Sequence, residues 1–163
     1  MGIGKSAVGQ ALSEILGKEF LEMDTLIVEK AGKTIPEIFA QDGEVVFREL
    51  EMAVTRDIHR RKNTVVACGG GIVLNQINIA RLKDEYVVVY LTGSVREIIK
   101  RTTGDNNRPL LDVADKTARI KELMGKRLPF YERAADFKVN TTRTGISRVA
   151  EAVIRKLEEH EEA

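Results

Sequence analysis

The segment Gly2-Ile3-Gly4-Lys5-Ser6, at the start of the chain, matches the second half of a phosphate-binding loop. The full pattern, G-x-x-x-x-G-K-[ST], is a turn from a strand into a helix whose backbone N–H groups surround phosphates. In this pattern Lys5 reaches the β- and γ-phosphates, and the Ser6 hydroxyl binds Mg²⁺. The segment therefore predicts a strand–loop–helix fold that handles a nucleoside triphosphate.

The composition is typical of one ordinary globular domain. Of the 163 residues, 43% are hydrophobic and 31% are charged, which suits a single α/β domain and excludes a disordered chain. Lys and Arg number 26 against 25 Asp and Glu, so the charge gives no reason to expect nucleic acid or an anionic membrane as a partner. No apolar run approaches the roughly 20 residues of a membrane span. One cysteine, Cys68, and two histidines provide neither a disulfide nor a zinc site.

Patterns of strands and helices alternate along the whole chain. Short apolar runs predict strands at 20–23, 64–67, 86–91 and 137–140. Apolar residues at helical spacing predict helices over 4–17, 35–39, 43–61, 94–101, 117–133 and from 146 onward. This alternation predicts an α/β fold with a doubly wound parallel sheet and helices on both faces.

Polar residues and glycines follow the predicted strands at their C-terminal ends, where parallel sheets bind ligands. Asp24 follows the first of these strands and could orient, or take a proton from, an attacking hydroxyl. An aspartate in this place is also a helix N-cap by default, here for a helix that begins at Thr25. The glycines at 69–71 bring backbone N–H groups within reach of an anion, although they also suit an ordinary turn.

Three arginines are candidates for binding anions. Arg108 stands in the loop 102–116, next to a proline, and from such a loop an arginine can reach a transferring phosphoryl group. The alternative for Arg108 is a surface charge on a flexible loop. Arg48 and Arg127, taken singly, are more typical of solvated surface charges than of ligand contacts.

Six short motifs, in this order and spacing, resemble the shikimate kinase family over nearly the whole chain. They are G-I-G-K-S from Gly2, M-D from Met23, G-E-V-V-F-R-E-L-E from Gly43, G-G-G from Gly69, R-P-L-L from Arg108 and K-R-L-P-F-Y from Lys126. The resemblance implies a P-loop kinase fold with a five-stranded parallel sheet in one domain, 1–163, with a shikimate-binding region at 25–52 and a lid at 102–115. It further implies a cytoplasmic, monomeric enzyme that uses ATP and Mg²⁺ to phosphorylate the 3-hydroxyl of shikimate in aromatic amino-acid biosynthesis, with no nucleic-acid or membrane partner.

The resemblance also implies roles for individual residues. On the substrate side, it implies that Asp24 holds the reacting hydroxyl as the base, that the carboxylate of shikimate is bound by Arg48 and Arg127, and that the ring lies against Gly70 and Gly71. On the nucleotide side, the implied residues are the loop Gly2, Ile3, Gly4, Lys5, Ser6 and Ala7, the adenine neighbours Arg101 and Arg143, and the phosphoryl-binding Arg108. The implied Mg²⁺ contacts are Ser6 and Glu22.

The sequence departs from the family pattern in three places. Glu22 stands where the family usually has aspartate, and its side chain is longer by one C–C bond. Ala7 replaces a common threonine, which we expect to matter little. The strand that precedes the loop is central in this fold, and we expect it to be missing here, with an N-terminus that lies upstream of Met1. Its four or five large apolar residues would contribute on the order of 10 kcal/mol at about 1.5–3 kcal/mol each.

Two other functions remain open from the sequence. Kinases of gluconate or of nucleoside monophosphates share the loop and the sheet, but they do not need the glycine triplet together with Arg48 and Arg127. A catalytically silent nucleotide-binding module is favoured by the incomplete loop and by Glu22.

Overall fold

The computed structural model describes residues 2–102 and 108–162, in which four strands alternate with eight helices. The strands are β1 (Glu19–Glu22), β2 (Thr64–Ala67), β3 (Val89–Thr92) and β4 (Phe137–Asn140). The helices are α1 (Lys5–Leu16), α2 (Met23–Ala31), α3 (Ile35–Gln41), α4 (Gly43–Ile58), α5 (Gln76–Glu85), α6 (Val95–Thr102), α7 (Lys116–Ala134) and α8 (Ile146–Glu161). The part of the predicted lid at 103–107 lies outside the described residues.

The four strands form two separate parallel pairs. β1 pairs with β2, in a register that runs from Glu19 opposite Thr64 to Glu22 opposite Ala67. β3 pairs with β4, from Val89 opposite Phe137 to Thr92 opposite Asn140. Among the described residues no ladder joins β2 to β3, and no strand precedes α1. The α/β class and the parallel pairing are confirmed, and the sheet is divided between β2 and β3.

Among the boundaries that differ from the sequence predictions, two have a clear structural reason. Asp24 does not cap a helix that begins at Thr25, because α2 begins at Met23 and Glu22 is its N-cap residue. Met23 is completely buried, so the chain turns into the helix directly after the last paired residue of β1. β3 begins at Val89 rather than at 86, because its only partner in the described chain, β4, begins at Phe137.

Helices cover both faces of the strand pairs, as the alternation predicted. On one face, α1 and α8 pack together through Val8, Leu12 and Val153. On the other face, helices α2 to α5 enclose the largest core, which includes the completely buried Ile27 and Ile38. Within the described ranges, no helix combines the length and the apolar character needed to cross a bilayer.

A third apolar cluster lies beneath the predicted nucleotide loop. It joins Ile3 of the loop to Ile98 of α6, Leu111, and Ile120 and Leu123 of α7. Ile3 is 7% exposed, so the loop is anchored to the fold by a buried side chain. The cluster therefore connects the nucleotide loop with the segment that follows Arg108.

Candidate active site

The loop at residues 2–4 opens the N-terminus of α1 toward a ligand. Gly4 has φ 91°, a left-handed conformation that favours glycine, and no side chain caps α1. The first backbone N–H groups of a helix have no partner within the helix, and they attract anions. Arg101 supports the loop from α6, since its Nη1 donates a hydrogen bond to the Ile3 carbonyl at 3.3 Å. Ser6 and Ala7 are exposed at the same helix end.

Lys5, the first residue of α1, lies among charged groups at the C-terminal end of the strands. Burial lowers the pKa of its ammonium, and the neighbouring Arg108 lowers it further, whereas Cys68 and Asp24 act in the opposite direction. Two cations near each other favour a bound anion such as a phosphate. Burial also raises the pKa of the Cys68 thiol to about 12, so that this cysteine is a neutral, packed side chain rather than a nucleophile.

The Asp24 carboxylate lies in the first turn of α2, close to the glycine triplet. A Cβ atom placed on Gly69 would be 3.3 Å from Asp24 Oδ1. Burial raises the pKa of Asp24, and the cations Lys5, Arg108 and Arg48 oppose this effect. A carboxylate with a raised pKa and access to a hydroxyl is suited to act as a general base. The structure thus places Asp24 between the nucleotide loop and the predicted substrate arginines.

Glu22 and Ser6 are brought together at the end of β1, where the sequence predicted Mg²⁺ contacts. Burial raises the pKa of the Glu22 carboxylate, and the nearby Ser6 hydroxyl opposes this rise. The longer glutamate side chain therefore still reaches the loop serine. In the described part of the chain, no three His, Cys, Asp or Glu residues cluster as a metal site. A hydroxyl with one carboxylate fits Mg²⁺, which proteins commonly bind through one or two carboxylates together with substrate phosphates.

Arg48 and Arg127 face a buried carboxylate that the sequence analysis missed, Glu51. Arg48 Nη1 donates a hydrogen bond to Glu51 Oε1 at 3.2 Å, and its Nη2 donates one to Glu44 Oε1 at 3.2 Å. Glu51 is 2% exposed, and burial raises its pKa while Arg48 and Arg127 oppose the shift. The sequence does contain a signal for Glu51, since it follows Arg48 by three residues and so shares its face of α4.

Arg127 is buried, with 5% of the residue exposed, rather than a solvated surface charge. Burial raises the pKa of the Tyr131 hydroxyl, one turn further along α7, and the positive charge of Arg127 opposes this rise. A buried cation needs a partner, and Glu51 is the carboxylate whose pKa it affects. Since Arg48 and Arg127 both act on Glu51, the structure brings these two predicted arginines to one place.

The glycine triplet is held between α4 and α7. A Cβ atom on Gly71 would collide with the Arg48 guanidinium, so only glycine allows this arginine to lie against the turn. On the other side, the Tyr131 hydroxyl donates a hydrogen bond to the Gly70 carbonyl at 2.6 Å. Tyr131 also stacks on Tyr90 of β3, with ring centroids 5.0 Å apart. Tyr131 is a second residue at this site that sequence reasoning did not assign.

Arg108 and the two predicted adenine neighbours lie around the nucleotide loop. Arg108 affects the pKa of both Lys5 and Asp24, and a short 3₁₀ turn, Pro109–Leu111, follows it. Arg101 lies beside Gly4 and pairs with Glu97, its Nη2 at 3.7 Å from Oε2. Arg143 is exposed, and its backbone N–H donates a hydrogen bond to Glu97 Oε1 at 3.2 Å. Glu97 thus links the two arginines that were predicted to flank the adenine.

Comparison with known proteins identifies one family along the whole length of the chain. A family profile described as "Shikimate kinase" matches residues 1–158. A protein named shikimate kinase from Thermodesulfovibrio yellowstonii is 40% identical over 158 residues, which cover 97% of this chain and 91% of that protein. A shikimate kinase from Bordetella avium is 37% identical over 161 residues, covering 99% of this chain and 77% of that protein.

Solved structures agree with this comparison. The shikimate kinase from Acinetobacter baumannii in complex with shikimate superimposes with a TM-score of 0.95 at 38% identity, over 98% of this chain and 89% of that chain. The shikimate kinase from Aquifex aeolicus superimposes with a TM-score of 0.85 at 31% identity, over 99% and 94% of the two chains. The P-loop kinase fold expected from the motifs is therefore confirmed.

Proposed function

This chain belongs to the shikimate kinase family, and on that premise we propose how its residues divide the work of the reaction. Members of the family phosphorylate shikimate with ATP, and this chain is accordingly a kinase of the shikimate pathway. Shikimate binds on the acceptor side of the site, which is formed by α4, α7 and the glycine triplet. ATP binds on the nucleotide side, which is formed by the loop before α1. The two sides meet at Asp24.

On the acceptor side, Arg48 and Arg127 bind the carboxylate of shikimate. A planar guanidinium can donate two parallel hydrogen bonds to a carboxylate, which fixes both the position and the orientation of the acid. Glu51 holds Arg48 Nη1 at 3.2 Å and so limits the orientations that this guanidinium can take. The ring of the substrate lies against Gly70 and Gly71, next to Arg48, whose guanidinium packs against Gly71. The region 25–52, which includes α4, is accordingly our proposed shikimate-binding region.

On the nucleotide side, the N-terminus of α1 and Lys5 bind the phosphates of ATP, and Arg108 binds the transferring group. Phosphoryl transfer depends chiefly on positioning and on stabilising the charge of the transferring group. Ser6 and Glu22 would hold Mg²⁺, which when bound neutralises charge on the β- and γ-phosphates. Arg101 and Arg143 flank the adenine. The segment 102–115 is the proposed lid, of which the structure describes 102 and 108–115.

The chemical step needs one base. The Asp24 carboxylate accepts the proton of the 3-hydroxyl of shikimate, and the hydroxyl oxygen forms a bond to the γ-phosphorus of ATP. The bond between that phosphorus and the β,γ-bridging oxygen breaks, and ADP leaves with the electron pair. The raised pKa of Asp24 strengthens it as a base, and the three surrounding cations keep it ionised.

The observation that best supports this assignment is the joint placement of Arg48, Arg127 and Glu51 beside Asp24. A kinase of a neutral polyol does not need two arginines at this place, whereas a kinase of an acid such as shikimate uses them to bind the carboxylate. The matched substrate test compares shikimate with its methyl ester, which keeps the reacting hydroxyl and lacks the negative charge. We expect shikimate-dependent release of ADP, measured with ATP and Mg²⁺, and a loss of at least tenfold in kcat/KM with the ester.

Two other results would contradict the assignment. Equal kcat/KM values for shikimate and the ester would contradict the proposed contact between the two arginines and the carboxylate. Release of ADP with gluconate, or with a nucleoside monophosphate, at a higher kcat/KM than with shikimate would assign a different acceptor.

A further inference from the structure

Tyr131 of α7 bonds to the backbone of the glycine triplet from across the active site. Its hydroxyl donates a hydrogen bond of 2.6 Å to the Gly70 carbonyl, which stands 61 residues earlier in the chain. This length lies at the short end of the range for O–H···O hydrogen bonds in proteins. The contact therefore ties the middle of the triplet to the helix that also provides Arg127.

The turn that contains the triplet leaves one carbonyl without a donor of its own. The triplet leads into a short 3₁₀ turn, Ile72–Leu74. The carbonyls of the first and third glycines accept backbone N–H bonds from this turn, at 3.3 and 3.1 Å. In the described chain no backbone N–H bonds in the same way to the Gly70 carbonyl, which lies between them. The Tyr131 hydroxyl supplies the donor that the turn lacks.

The same bond sets the direction of the next backbone N–H group. In a trans peptide, the C=O of one residue and the N–H of the next point to opposite sides, and no peptide bond in the described chain is cis. Because Tyr131 holds the Gly70 carbonyl toward α7, the Gly71 N–H points away from α7. Three successive glycines can take many backbone conformations, so without this bond the peptide plane would be free to rotate.

The ring that carries this hydroxyl is itself held in place. It stacks on the Tyr90 ring of β3, with the ring centroids 5.0 Å apart and the planes 22° from parallel. A tyrosine side chain has only two torsions, so a stacked ring leaves its hydroxyl little freedom. Burial raises the pKa of the Tyr131 hydroxyl, which therefore stays protonated, and able to donate, at neutral pH. Tyr131 is thus a rigid donor to the triplet.

The hydroxyl also lies near both of the arginines that are proposed to bind the carboxylate. The charges of Arg127 and Arg48 both oppose the rise that burial causes in the pKa of Tyr131. Arg48 in turn lies directly against the triplet, since a Cβ atom on Gly71 would collide with its guanidinium. A rotation of the peptide between Gly70 and Gly71 would therefore disturb the acceptor site at two places, the triplet and Arg48.

We propose that Tyr131 is a positioning residue for the acceptor, whose hydroxyl fixes the peptide between Gly70 and Gly71 in the orientation that shikimate meets when it binds. The inference rests on the proposed function for the identity of the acceptor. Without the hydroxyl the ring would still pack, but shikimate would have to order the turn during binding, which weakens affinity. Binding of ATP should not change, because Tyr131 is not among the groups that shift the pKa of Lys5.

The three tyrosines of the chain provide a matched set of variants. In Y131F the KM for shikimate should rise about 3- to 10-fold, the effect of one neutral hydrogen bond, while kcat and the KM for ATP change less than twofold. Y90F removes the hydroxyl of the other stacked ring and keeps the bond to Gly70, so both KM values should stay unchanged. Y86F removes hydrogen bonds to two backbone carbonyls near the end of α4, at 2.8 and 3.0 Å. It should lower the Tm and leave both KM values unchanged, which separates a loss of stability from a loss of positioning.

Amide hydrogen exchange tests the hold on the turn without catalysis. In the protein without ligands, exchange at 70–74 should be about 3- to 10-fold faster in Y131F than in the unmodified chain, and Y90F should exchange like the unmodified chain. The two proposals can then fail separately. Absence of shikimate-dependent ADP release from the unmodified protein would refute the proposed function, whereas the exchange rates would still show whether Tyr131 orders the triplet.

Four outcomes would overturn the proposal. A KM for shikimate within twofold of normal in Y131F would show that the hydroxyl does not position the acceptor. Equal increases in the KM for shikimate and for ATP would indicate a general loss of structure. Equal effects of Y131F and Y90F would assign the role to the stacked rings rather than to the hydroxyl. Unchanged exchange at 70–74 in Y131F would show that the turn is ordered without Tyr131.

Discussion

Replacement of Arg127 by alanine is the most direct test of the carboxylate site. Arg127 is 5% exposed, so a ligand bound to its guanidinium would meet little competing water. A hydrogen bond to a charged group contributes about 1.5–3 kcal/mol, and the proposed contact has two. Because Arg48 remains to hold the carboxylate, we expect a net loss of about 2–4 kcal/mol, and at 1.4 kcal/mol per factor of ten the KM for shikimate should rise about 30- to 700-fold.

The assay follows ADP release while shikimate and ATP are varied separately. In R127A the KM for ATP should change less than threefold, because Arg127 affects Glu51 and Tyr131 and is not among the groups that shift the pKa of Lys5. The variant R127K keeps the charge without the planar donor pair, and we expect it to recover part of the lost affinity. The matched control is R133A on the same helix, an exposed arginine whose guanidinium lies 6.0 Å from the centre of the Phe130 ring. Both KM values should stay unchanged in R133A.

Stability must be separated from binding in this experiment. Arg127 also compensates the buried charge of Glu51, so its removal should lower the Tm by a few degrees. Kinetics measured well below that Tm report on binding alone. Equal increases in the KM for shikimate and for ATP, or no increase in the KM for shikimate, would refute the role of Arg127 as a carboxylate ligand.

Three further predictions use the same assay or thermal unfolding. D24N should lower kcat about 10²- to 10⁴-fold with little change in Tm, and a kcat of D24N within threefold of normal would exclude Asp24 as the base. In the unmodified enzyme, kcat should fall as the pH drops through the raised pKa of Asp24. G71A should raise the KM for shikimate, because the added methyl group would move Arg48. G125A is the control, since Gly125 of α7 faces open space, and this variant should leave the KM unchanged. Equal effects of the two variants would contradict the close contact between Gly71 and Arg48. Burial raises the pKa of Glu51, so the folded state holds this proton more tightly than the unfolded state does. Stability should therefore fall as the pH rises from about 4.3, the pKa in the unfolded chain, through the higher pKa in the folded protein. E51Q should flatten this part of the curve of Tm against pH, and an unaltered slope would contradict the role of Glu51.

Much of the site was predictable because short motifs mark the ends of predicted strands. Asp24, the glycine triplet and Lys5 were each placed in sequence by the strand or helix next to them, and the structure brings them to one edge. Glu51 and Tyr131 were not predicted, because a glutamate on a helix face and a tyrosine after a proline fit many surfaces equally well. Their significance comes from burial and from partners on other elements, which a local pattern does not contain.

The sequence by itself determined the elements and the family of this protein. Periodic apolar spacing and strand-like runs predicted the four strands and the helices other than α5 (Gln76–Glu85), because these patterns express local geometry that each segment carries with it. The motifs at the strand ends determined the chemistry for a similar reason, since a loop that binds phosphate requires glycine, lysine and serine at set positions.

Only the tertiary structure decided which charges share a site and how the sheet is divided. The sequence does not distinguish Arg127 from a solvated surface charge, whereas the structure buries it and places it where it affects the pKa of the buried Glu51. The beginning of α2 at Met23 and the beginning of β3 at Val89 depend on burial and on the partner strand, not on their own residues. The pairing of β1 with β2 and of β3 with β4 is also decided only by the tertiary structure, because hydrogen bonds between distant segments are set by the assembled fold.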